Sequence, residues 1–496
     1  MGCNMRCGHC GSSCENRLPD ELTTEEALSL ADQIADLGLS WITLSGGEPL
    51  IREDLPILVQ RLASRGVIVN MITNGWLIDL EVAQTLKESG ISTVAISIDG
   101  TEEIHDSIRM AGSFKRIEKA ISHLKHAGIN VGAVTTISNK NFDCLRELHQ
   151  ILIDMGVKSW QVQLGQPMGN FKERPQWVSA PGVIPAIIDF CYETWLEGQI
   201  NIRPADCIGY YSEKEMIIRQ KPEMGGSIWN GCNAGLRSFG ILQNGDILGC
   251  TSIREKSFVE GNIKNEPLAQ IWNNPDNFSW RRKMTKADLV GDCAICAYGS
   301  RCLGGCPNVR ITMSGDINSD NLYCSYNLAI KGLRERLLQE TDCKWLTVQA
   351  EQALRVKDFQ TSAFFAERAL ELAGEAPFNE KAATPLPEGS GSGIHSRYSG
   401  GVWGRASFKK KALAIKGFAE FMCGNYSLCE AANRKALELY PNDTYALKGL
   451  GLALHKLGDS EQGLKLIEEA AKLTNYADAD IMHDLNYVRQ EMKFPT

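Results

Sequence analysis

No apolar run comes near the roughly twenty residues needed to cross a bilayer, and no signal peptide opens the chain. A membrane-spanning or secreted protein is therefore not expected, and the chain reads as cytoplasmic. Long basic runs are missing too. The 52 Lys and Arg are outnumbered by 60 Asp and Glu, a formal net charge of −8, which disfavours a nucleic-acid groove. Apolar residues at 43% and charged residues at 23% are ordinary for a soluble globular protein, and 496 residues suggest about three domains. Cysteine is the residue in excess, at seventeen. In a short secreted chain these would suggest disulfides; here most fall in short clustered spacings that suit metal ligation in a reducing compartment.

Three regions follow one another. From Trp41 to about Ala205, short β-branched runs alternate with amphipathic helical stretches. Strands are expected at Trp41–Ser45, Val67–Ile72, Thr93–Ile98, Val131–Thr136, Ser159–Leu164 and Ile200–Arg203. Helices are expected at Thr24–Leu37, Leu55–Ser64, Glu81–Ser89, Phe114–Ala127 and Asn141–Met155. Repeated strand–helix units imply parallel strands joined by right-handed crossovers, an α/β fold of the partial (β/α)6 TIM-like barrel kind. Chemistry in such barrels gathers where strands end. From Asp206 to about Gln339 the periodicity fades and Cys, Gly, Asn and Trp become frequent, as in a small α+β domain organised by metal. From Glu340 onward the pattern is all helical. Gly424, Ala436 and Pro441 correspond, 34 residues on, to Gly458, Ala470 and Asn475, the period of a tetratricopeptide repeat (TPR). Phe359, Ala366 and Ala369 suggest an earlier copy; generic helical hairpins are the plainer alternative. The expected boundaries are thus 1–205, 206–339 and 340–496, with a Gly/Ser/Pro-rich loop at about 374–407 interrupting the helical part.

The N-terminus reads Cys3-Asn-Met-Arg-Cys7-Gly-His-Cys10. Three thiolates at C-x3-C-x2-C spacing can each ligate one iron of a cubane and leave the fourth iron open to a small molecule. A zinc site completed by His9 is the alternative, although structural zinc normally uses paired C-x2-C hooks. After the first strand comes Gly46-Gly47-Glu48-Pro49, where the glycines allow close backbone approach to a ligand and their carbonyls can accept from an ammonium. Thr73-Asn74-Gly75, Ser97-Ile98-Asp99-Gly100 and His105-Asp106-Ser107-Ile108-Arg109 close later strands or follow them, with Gly112-Ser113-Phe114 beyond. Alone, Asp99 reads as a turn residue and Arg109 as a surface ion-pair partner.

Together these motifs resemble the radical S-adenosylmethionine (SAM) superfamily. The resemblance implies a SAM-binding 4Fe-4S cluster on Cys3, Cys7 and Cys10. It implies SAM held by Gly46, Gly47, Glu48, Pro49 and Asn74, with its ribose near Ser97 and Asp99 and its carboxylate near Arg109. Reductive cleavage of SAM in this family gives a 5′-deoxyadenosyl radical that abstracts hydrogen from substrate; the protein chelates, orients and excludes water. The electron would come from a flavodoxin- or ferredoxin-type partner.

A second cysteine series follows: Cys232, then Gly245-x4-Cys250, then Cys293-x2-Cys296-x5-Cys302-x3-Cys306, then Cys324. A zinc ribbon is the competing reading of the middle run. The seven cysteines resemble the SPASM domain, the auxiliary-cluster module of radical SAM peptide and protein maturases, and the joint resemblance spans about residues 1 to 340. It implies one auxiliary 4Fe-4S cluster on Cys232, Cys250 and Cys306 and another on Cys293, Cys296, Cys302 and Cys324. The first has three assigned ligands, so its fourth iron is open or served from outside the motif; Cys207 and Cys191 are candidates, with a buried structural thiol the plainer fate of each. Cys14, Cys144, Cys343, Cys423 and Cys429 lie outside the patterns and read mostly as packed apolar residues; Cys14, beside the cluster loop, could be a hydrogen-atom donor, with a bland loop role the plainer reading.

Only Met1 and Gly2 stand before Cys3, so a first barrel strand and any leader-peptide-binding domain would lie upstream or be missing. In the second case the helical repeats would take over recognition of a precursor peptide or protein. Three functions compete. Maturation of a ribosomally made peptide, by thioether or carbon–carbon crosslinking or by epimerisation, fits SPASM with appended repeats. Sulfatase maturation to formylglycine is second, because Thr251 follows Cys250 where those enzymes typically place an aspartate. A non-enzymatic, metal-stabilised TPR scaffold is third and leaves Gly46–Pro49 unexplained. No catalytic base or hydrogen donor is legible.

Overall fold

The computed structural model describes residues 2–219, 229–375 and 405–493. Most of the expected Gly/Ser/Pro-rich loop at 374–407 lies outside them. The chain divides into two compact units, Met1–Cys293 with Arg301–Leu328, and Ala294–Ser300 with Ala329–Thr496.

The first unit opens with a (β/α) series: α1 (Thr24–Asp36), β1 (Trp41–Leu44), α2 (Leu55–Ser64), β2 (Ile68–Thr73), α3 (Leu80–Glu88), β3 (Thr93–Ser97), α4 (Glu102–Ile108), α5 (Ser113–His126), β4 (Asn130–Ile137), α6 (Leu145–Asp154), β5 (Ser159–Leu164), α7 (Ile184–Glu197), β6 (Asn201–Pro204) and α8 (Glu213–Arg219). The strands pair in chain order, β1 to β6, and every pairing is parallel. A parallel neighbour needs a crossover, and the amphipathic helices supply it while covering the sheet. Val94, Ile96, Val162 and Ile202 from the strands meet Val59, Leu86, Ile117 and Leu148 from the helices, all buried in one core. The six expected strands all form, each within one residue of its expected ends. Strands are legible here because each is a β-branched run bounded by Gly or polar turns.

Local chemistry sets the helix starts. Thr23 and Glu26 form a reciprocal capping box on α1, and Asp79 accepts from the Val82 N–H ahead of α3. Asp106 takes N–H groups of Gly112 and Phe114 at 2.6 and 2.9 Å, which sets the entry to α5. The helix expected from Asn141 begins instead with a 3₁₀ turn, Phe142–Cys144. Its Asn141 side chain is engaged elsewhere, donating to the carbonyls of Asp99 and Thr136 and accepting from Ser138 N–H. Helices α4, α7 and α8 have no counterpart among the expected helices.

Past β6 the regular layers give way to a three-stranded antiparallel sheet, β7 (Gly240–Ile241), β8 (Asp246–Leu248) and β9 (Val259–Asn262). Short helices follow: α9 (Leu268–Asn273), α10 (Ser279–Arg282), α11 (Gly291–Ile295), α12 (Gly299–Cys302), α13 (Pro307–Ser314) and the longer α14 (Ser325–Leu337). Within the first unit this part is tied to the barrel by Leu22 N–H to Gln243 O at 2.8 Å and by the Tyr323 hydroxyl to Ser179 O at 2.8 Å.

The second unit is helical: α15 (Cys343–Arg355), α16 (Phe359–Glu375), α17 (Arg405–Met422), α18 (Tyr426–Leu439), α19 (Thr444–Lys456), α20 (Ser460–Leu473) and α21 (Ala479–Lys493). Gly424 and Gly458, 34 residues apart, take left-handed φ values of +73° and +98° between successive helices. The matched small residues Ala436 and Ala470 are buried where helices approach closely. No described helix is long and apolar enough to cross a membrane.

Candidate functional site

The ends of the parallel strands converge on the N-terminal cysteine loop. Glu48, directly after the two glycines, donates its N–H to Gly2 O at 3.0 Å, and Cys3 N–H reaches Glu15 O at 3.0 Å. Gly8 N–H binds Ile108 O at 2.8 Å, Asn170 N–H binds Cys10 O at 2.9 Å, and Asn170 Nδ2 donates to Cys7 O. A Cβ on Gly8 would lie 2.7 Å from the Trp177 ring, so only glycine lets the loop sit this close to the segment after β5.

Burial pushes the Cys3 and Cys7 thiols up. Cys10 is drawn down to about 5, mainly by a hydrogen bond from Cys14, whose own thiol is pushed up by the same contact. The Cys14 sulfur also lies 3.8 Å from Gly46 O, so Cys14 stands between the cluster loop and the Gly-Gly turn. Gly46 itself has φ +143°, and a Cβ there would meet nothing within 4 Å, leaving open space beside this backbone.

Glu48 and Asp99 are buried and fully engaged by the fold. Glu48 Oε1 accepts from Thr73 Oγ1 at 2.7 Å and Leu50 N–H at 3.1 Å, while Oε2 accepts from Asn74 N–H at 2.8 Å. It braces the ends of β1 and β2 together. Asn74 in turn donates to Asn4 Oδ1 at 2.7 Å, linking β2 to the cluster loop. Asp99, wholly inaccessible, accepts from His9 Nε2 at 2.9 Å, Arg109 Nε at 2.5 Å and Thr136 N–H at 2.9 Å. Burial opposes its charge, yet Arg109 and His9 hold its pKa well below the usual carboxylate range. Burial likewise acts against Arg109, and Asp99 and Cys7 keep its pKa above the ordinary value. Arg109 Nη1 comes within 3.9 Å of the Cys7 sulfur, so this ion pair ties the end of β3 to the cysteine loop. Ser97 is the last residue of β3 and half-buried.

Of the second cysteine series, Cys232, Cys250, Cys293, Cys302, Cys306 and Cys324 lie in the first unit, in two neighbourhoods, and Cys296 lies in the second unit. Burial, then Cys207, Cys232 and Cys250 in that order, push Cys306 well above the ordinary thiol value. Burial raises Cys232 to about 11, with Cys250 again adding to the rise. In the other neighbourhood the Cys293 sulfur accepts from Asn321 N–H and Asn327 Nδ2, both at 3.5 Å, while Asp320 receives the Cys293 N–H at 2.8 Å. Cys302 and Cys324 are buried. Cys296 falls in the 294–300 segment and accepts from Tyr298 N–H at 3.4 Å. Cys302 and Cys306 are joined by Leu303, Gly304 and Gly305, three successive residues at φ +50°, +77° and +72°. Gly305 is obligatory there, since a Cβ would lie 2.5 Å from the Tyr210 ring.

Two buried arginines test what these thiols hold. Arg310, packed under Gly304, is 1% exposed, and its Nε and Nη1 have no acceptor in the protein. Burial pulls its pKa down, and Cys293, Cys302 and Cys306 oppose the fall. Arg281 donates Nε and Nη2 to Cys232 O but leaves Nη1 unpaired. An unpaired buried guanidinium costs several kcal/mol unless an anion meets it. Iron–sulfur clusters, with thiolates and inorganic sulfides as acceptors, fit both arginines and the donor set. Among the described residues, which include all seventeen cysteines, none is disulfide-bonded, and no three His, Cys, Asp or Glu side chains close on a single ion. At the N-terminal site the buried Nδ1 of His9 and Nδ2 of Asn4 similarly lack partners in the protein.

A parallel partial barrel presenting a three-cysteine loop at its strand ends, beside a cysteine-rich domain, defines a SAM-dependent iron–sulfur enzyme. The chain carries a radical SAM domain and a SPASM domain: the radical SAM superfamily model matches residues 1–152, and the SPASM iron–sulfur cluster-binding model matches residues 232–297. Among similar proteins is the AdoMet-dependent heme synthase of Methanosarcina barkeri, 29% identical over 339 residues, which cover 66% of this chain and 94% of that protein. The mycofactocin maturase MftC of Mycobacterium ulcerans is 27% identical over 323 residues, covering 61% of this chain and 80% of that one. Streptococcus suis SuiB, solved bound to its precursor peptide SuiA, shares the fold at TM-score 0.53 and 16% identity, over 65% of this chain and 73% of that one.

Several site residues carried no sequence signal of their role. His9 read only as an alternative zinc ligand, yet its ring closes the Asp99 network. Asn170, Arg174 and Trp177 anchor the cysteine loop from about 165 residues away, a pairing that no local pattern announces.

Proposed function

We propose that this protein is a peptide or protein maturase carrying three 4Fe-4S clusters. In this reading Cys3, Cys7 and Cys10 hold the SAM-binding cluster. Cys232, Cys250 and Cys306 hold one auxiliary cluster, and Cys293, Cys296, Cys302 and Cys324 the other. When bound, the first cluster and SAM supply the radical that removes a hydrogen atom from substrate. The chain's own residues bind and orient. Gly46 and Gly47 offer open backbone for the SAM ammonium, and Asn74 and Ser97 line the strand ends. Glu48 and Asp99 act from behind, as positioning residues that fix Asn74 and Arg109. TPR-like helix pairs would present the concave face that recognises the precursor.

One observation carries the choice of substrate. The heme synthase relative spends 94% of its length on 339 residues of this chain, so about a third of the chain has no counterpart there. Stacked helical pairs offer an extended concave surface, which suits a polypeptide. The fold shared with SuiB and the similarity to MftC agree. Tetrapyrrole side-chain modification is the second reading, favoured by the heme synthase similarity.

The test is anaerobic reconstitution of the whole chain, iron counting and a dithionite-dependent assay for 5′-deoxyadenosine. Candidate precursor peptides encoded nearby and an iron porphyrin are then supplied in parallel. About twelve irons, as three cubanes require, with a mass change on a peptide supports the proposal. A mass change confined to the porphyrin establishes the second reading. Bound zinc without SAM cleavage refutes both.

A further inference from the structure

The auxiliary cluster assigned to Cys232, Cys250 and Cys306 is one thiolate short of the four that close a cubane. Cys207 stands three residues past Pro204, the last residue of β6, on a turn held from several sides. Ala205 N–H binds Val162 O at 2.8 Å, and Ile208 N–H binds Ala205 O at 3.1 Å. The Arg219 guanidinium donates to the carbonyls of Pro204, Ala205 and Ile208 at 3.1, 3.1 and 2.7 Å. This turn is fixed against the SPASM part by one buried tyrosine. The Tyr210 hydroxyl donates to the carbonyl of Asp206, directly before Cys207, and accepts the N–H of Cys306 at 3.0 Å. A single hydroxyl therefore links the backbones that carry the two cysteines.

The Cys207 sulfur accepts the Leu164 N–H at 3.3 Å, which holds the side chain against the end of β5. Cys191, the other nearby thiol in sequence, is a contrast. It is fully buried in the barrel core on α7, among apolar neighbours.

We propose that Cys207 is the fourth thiolate of the auxiliary cluster held by Cys232, Cys250 and Cys306. On ligation the Cys207 thiol gives up its proton to solvent and its sulfur takes the remaining iron, with no change in oxidation state. The cluster is then closed by protein on all four irons. Substrate has no iron to bind there and meets the chemistry only at the SAM-binding site. This inference rests on the three-cluster reading above.

The experiment uses the reconstituted full-length chain in a Cys3→Ala/Cys7→Ala/Cys10→Ala background, so that only auxiliary clusters contribute. Cys207→Ala, Cys207→Ser and Cys191→Ala are compared by iron count, Mössbauer spectroscopy and electron paramagnetic resonance with and without ¹³C-cyanide. The expected result is no cyanide coupling in the parent or in Cys191→Ala. Cys207→Ala should show either a cyanide-coupled iron or the loss of one iron per chain to a three-iron cluster, and Cys207→Ser an altered spectrum with iron retained. Cyanide coupling already in the parent, or spectra unchanged in Cys207→Ala, overturns the assignment. Cys306→Ala serves as the separate arm. If it leaves the auxiliary signals untouched, the three-cluster reading itself is wrong, whatever Cys207 does.

Discussion

Replacing Asp99 by Asn keeps the shape of the side chain and removes its charge, which makes it a sharp test of the buried ion pair beneath the cysteine loop. In the folded chain the carboxylate accepts from His9, Arg109 and Thr136, and none of its surface reaches solvent. The Arg109 side chain is 10% exposed, so it cannot rehydrate when its partner is lost. Breaking a buried pair by removing one partner costs about 3–5 kcal/mol. The introduced amide also presents an NH₂ where His9 or Arg109 now donates, so at least one donor loses its acceptor, at about 1–3 kcal/mol. These terms overlap, and the expected loss is about 4 kcal/mol, read from equilibrium urea unfolding of the reconstituted enzyme by near-ultraviolet circular dichroism. SAM affinity, measured by isothermal titration, should fall at least tenfold, because Arg109 is released from both Asp99 and Cys7. His9→Ala, which removes one neighbour and leaves the ion pair, should cost about 1–2 kcal/mol. A loss below about 1 kcal/mol in Asp99→Asn would show that the pair contributes little and that the network is not what holds the loop.

Three further outcomes are expected. Arg310→Met removes a buried positive charge next to Cys293, Cys302 and Cys306, a charge that stabilises the reduced state of a neighbouring cluster. A redox titration followed by electron paramagnetic resonance should find at least one auxiliary midpoint lowered by about 59 mV, a tenfold change for one electron. The second concerns pH. His105 is buried and neutral, with its pKa drawn down to about 4 by burial and then by Arg109, against about 6.5 when unfolded. Its contribution is full above pH 6.5 and is lost as pH falls toward 4, by up to about 3 kcal/mol. His105→Gln should flatten the dependence of unfolding free energy on pH in that window. The third concerns the helical unit, where Gly449→Ala on α19 would ordinarily gain about 1 kcal/mol of helix propensity. Here the new Cβ would lie 2.8 Å from Asn433 Oδ1, and Asn433 is buried with its Nδ2 on Cys429 O. A net loss of about 1–3 kcal/mol in thermal or urea unfolding is expected instead.

The barrel strands were legible because each is a short run rich in β-branched or aromatic residues, and α1, α2, α3 and α5 because their apolar residues recur at helical spacing; both signals are local. The same holds for the compact cysteine runs, Cys3 to Cys10 and Cys293 to Cys306, whose spacings are local, whereas Cys232, Cys250 and Cys324 stand far apart in the chain. What the sequence hid was nonlocal. The oxygens of Glu48 and Asp99 accept from Thr73, Asn74, His9 and Arg109, residues up to 90 positions away, a bracing role that no local pattern announces. Arg281 and Arg310 gave no signal at all, since an arginine in a short helix reads as surface until its burial is known. The 3₁₀ start of α6 depends on Asn141 reaching back to Asp99 O, again a contact between separate strand ends.

The turn Leu303-Gly304-Gly305 has a consequence for how the two auxiliary clusters communicate. In the proposed assignment Cys302 serves one cluster and Cys306 the other, and only four peptide steps separate them. Even a fully extended chain of that length spans about 13–14 Å, and the left-handed turn makes the path shorter. The covalent chain thus acts as a ruler that no domain motion can stretch. Any rearrangement that admits a bulky substrate must keep Cys302 and Cys306, and so the two clusters of that assignment, within this bound.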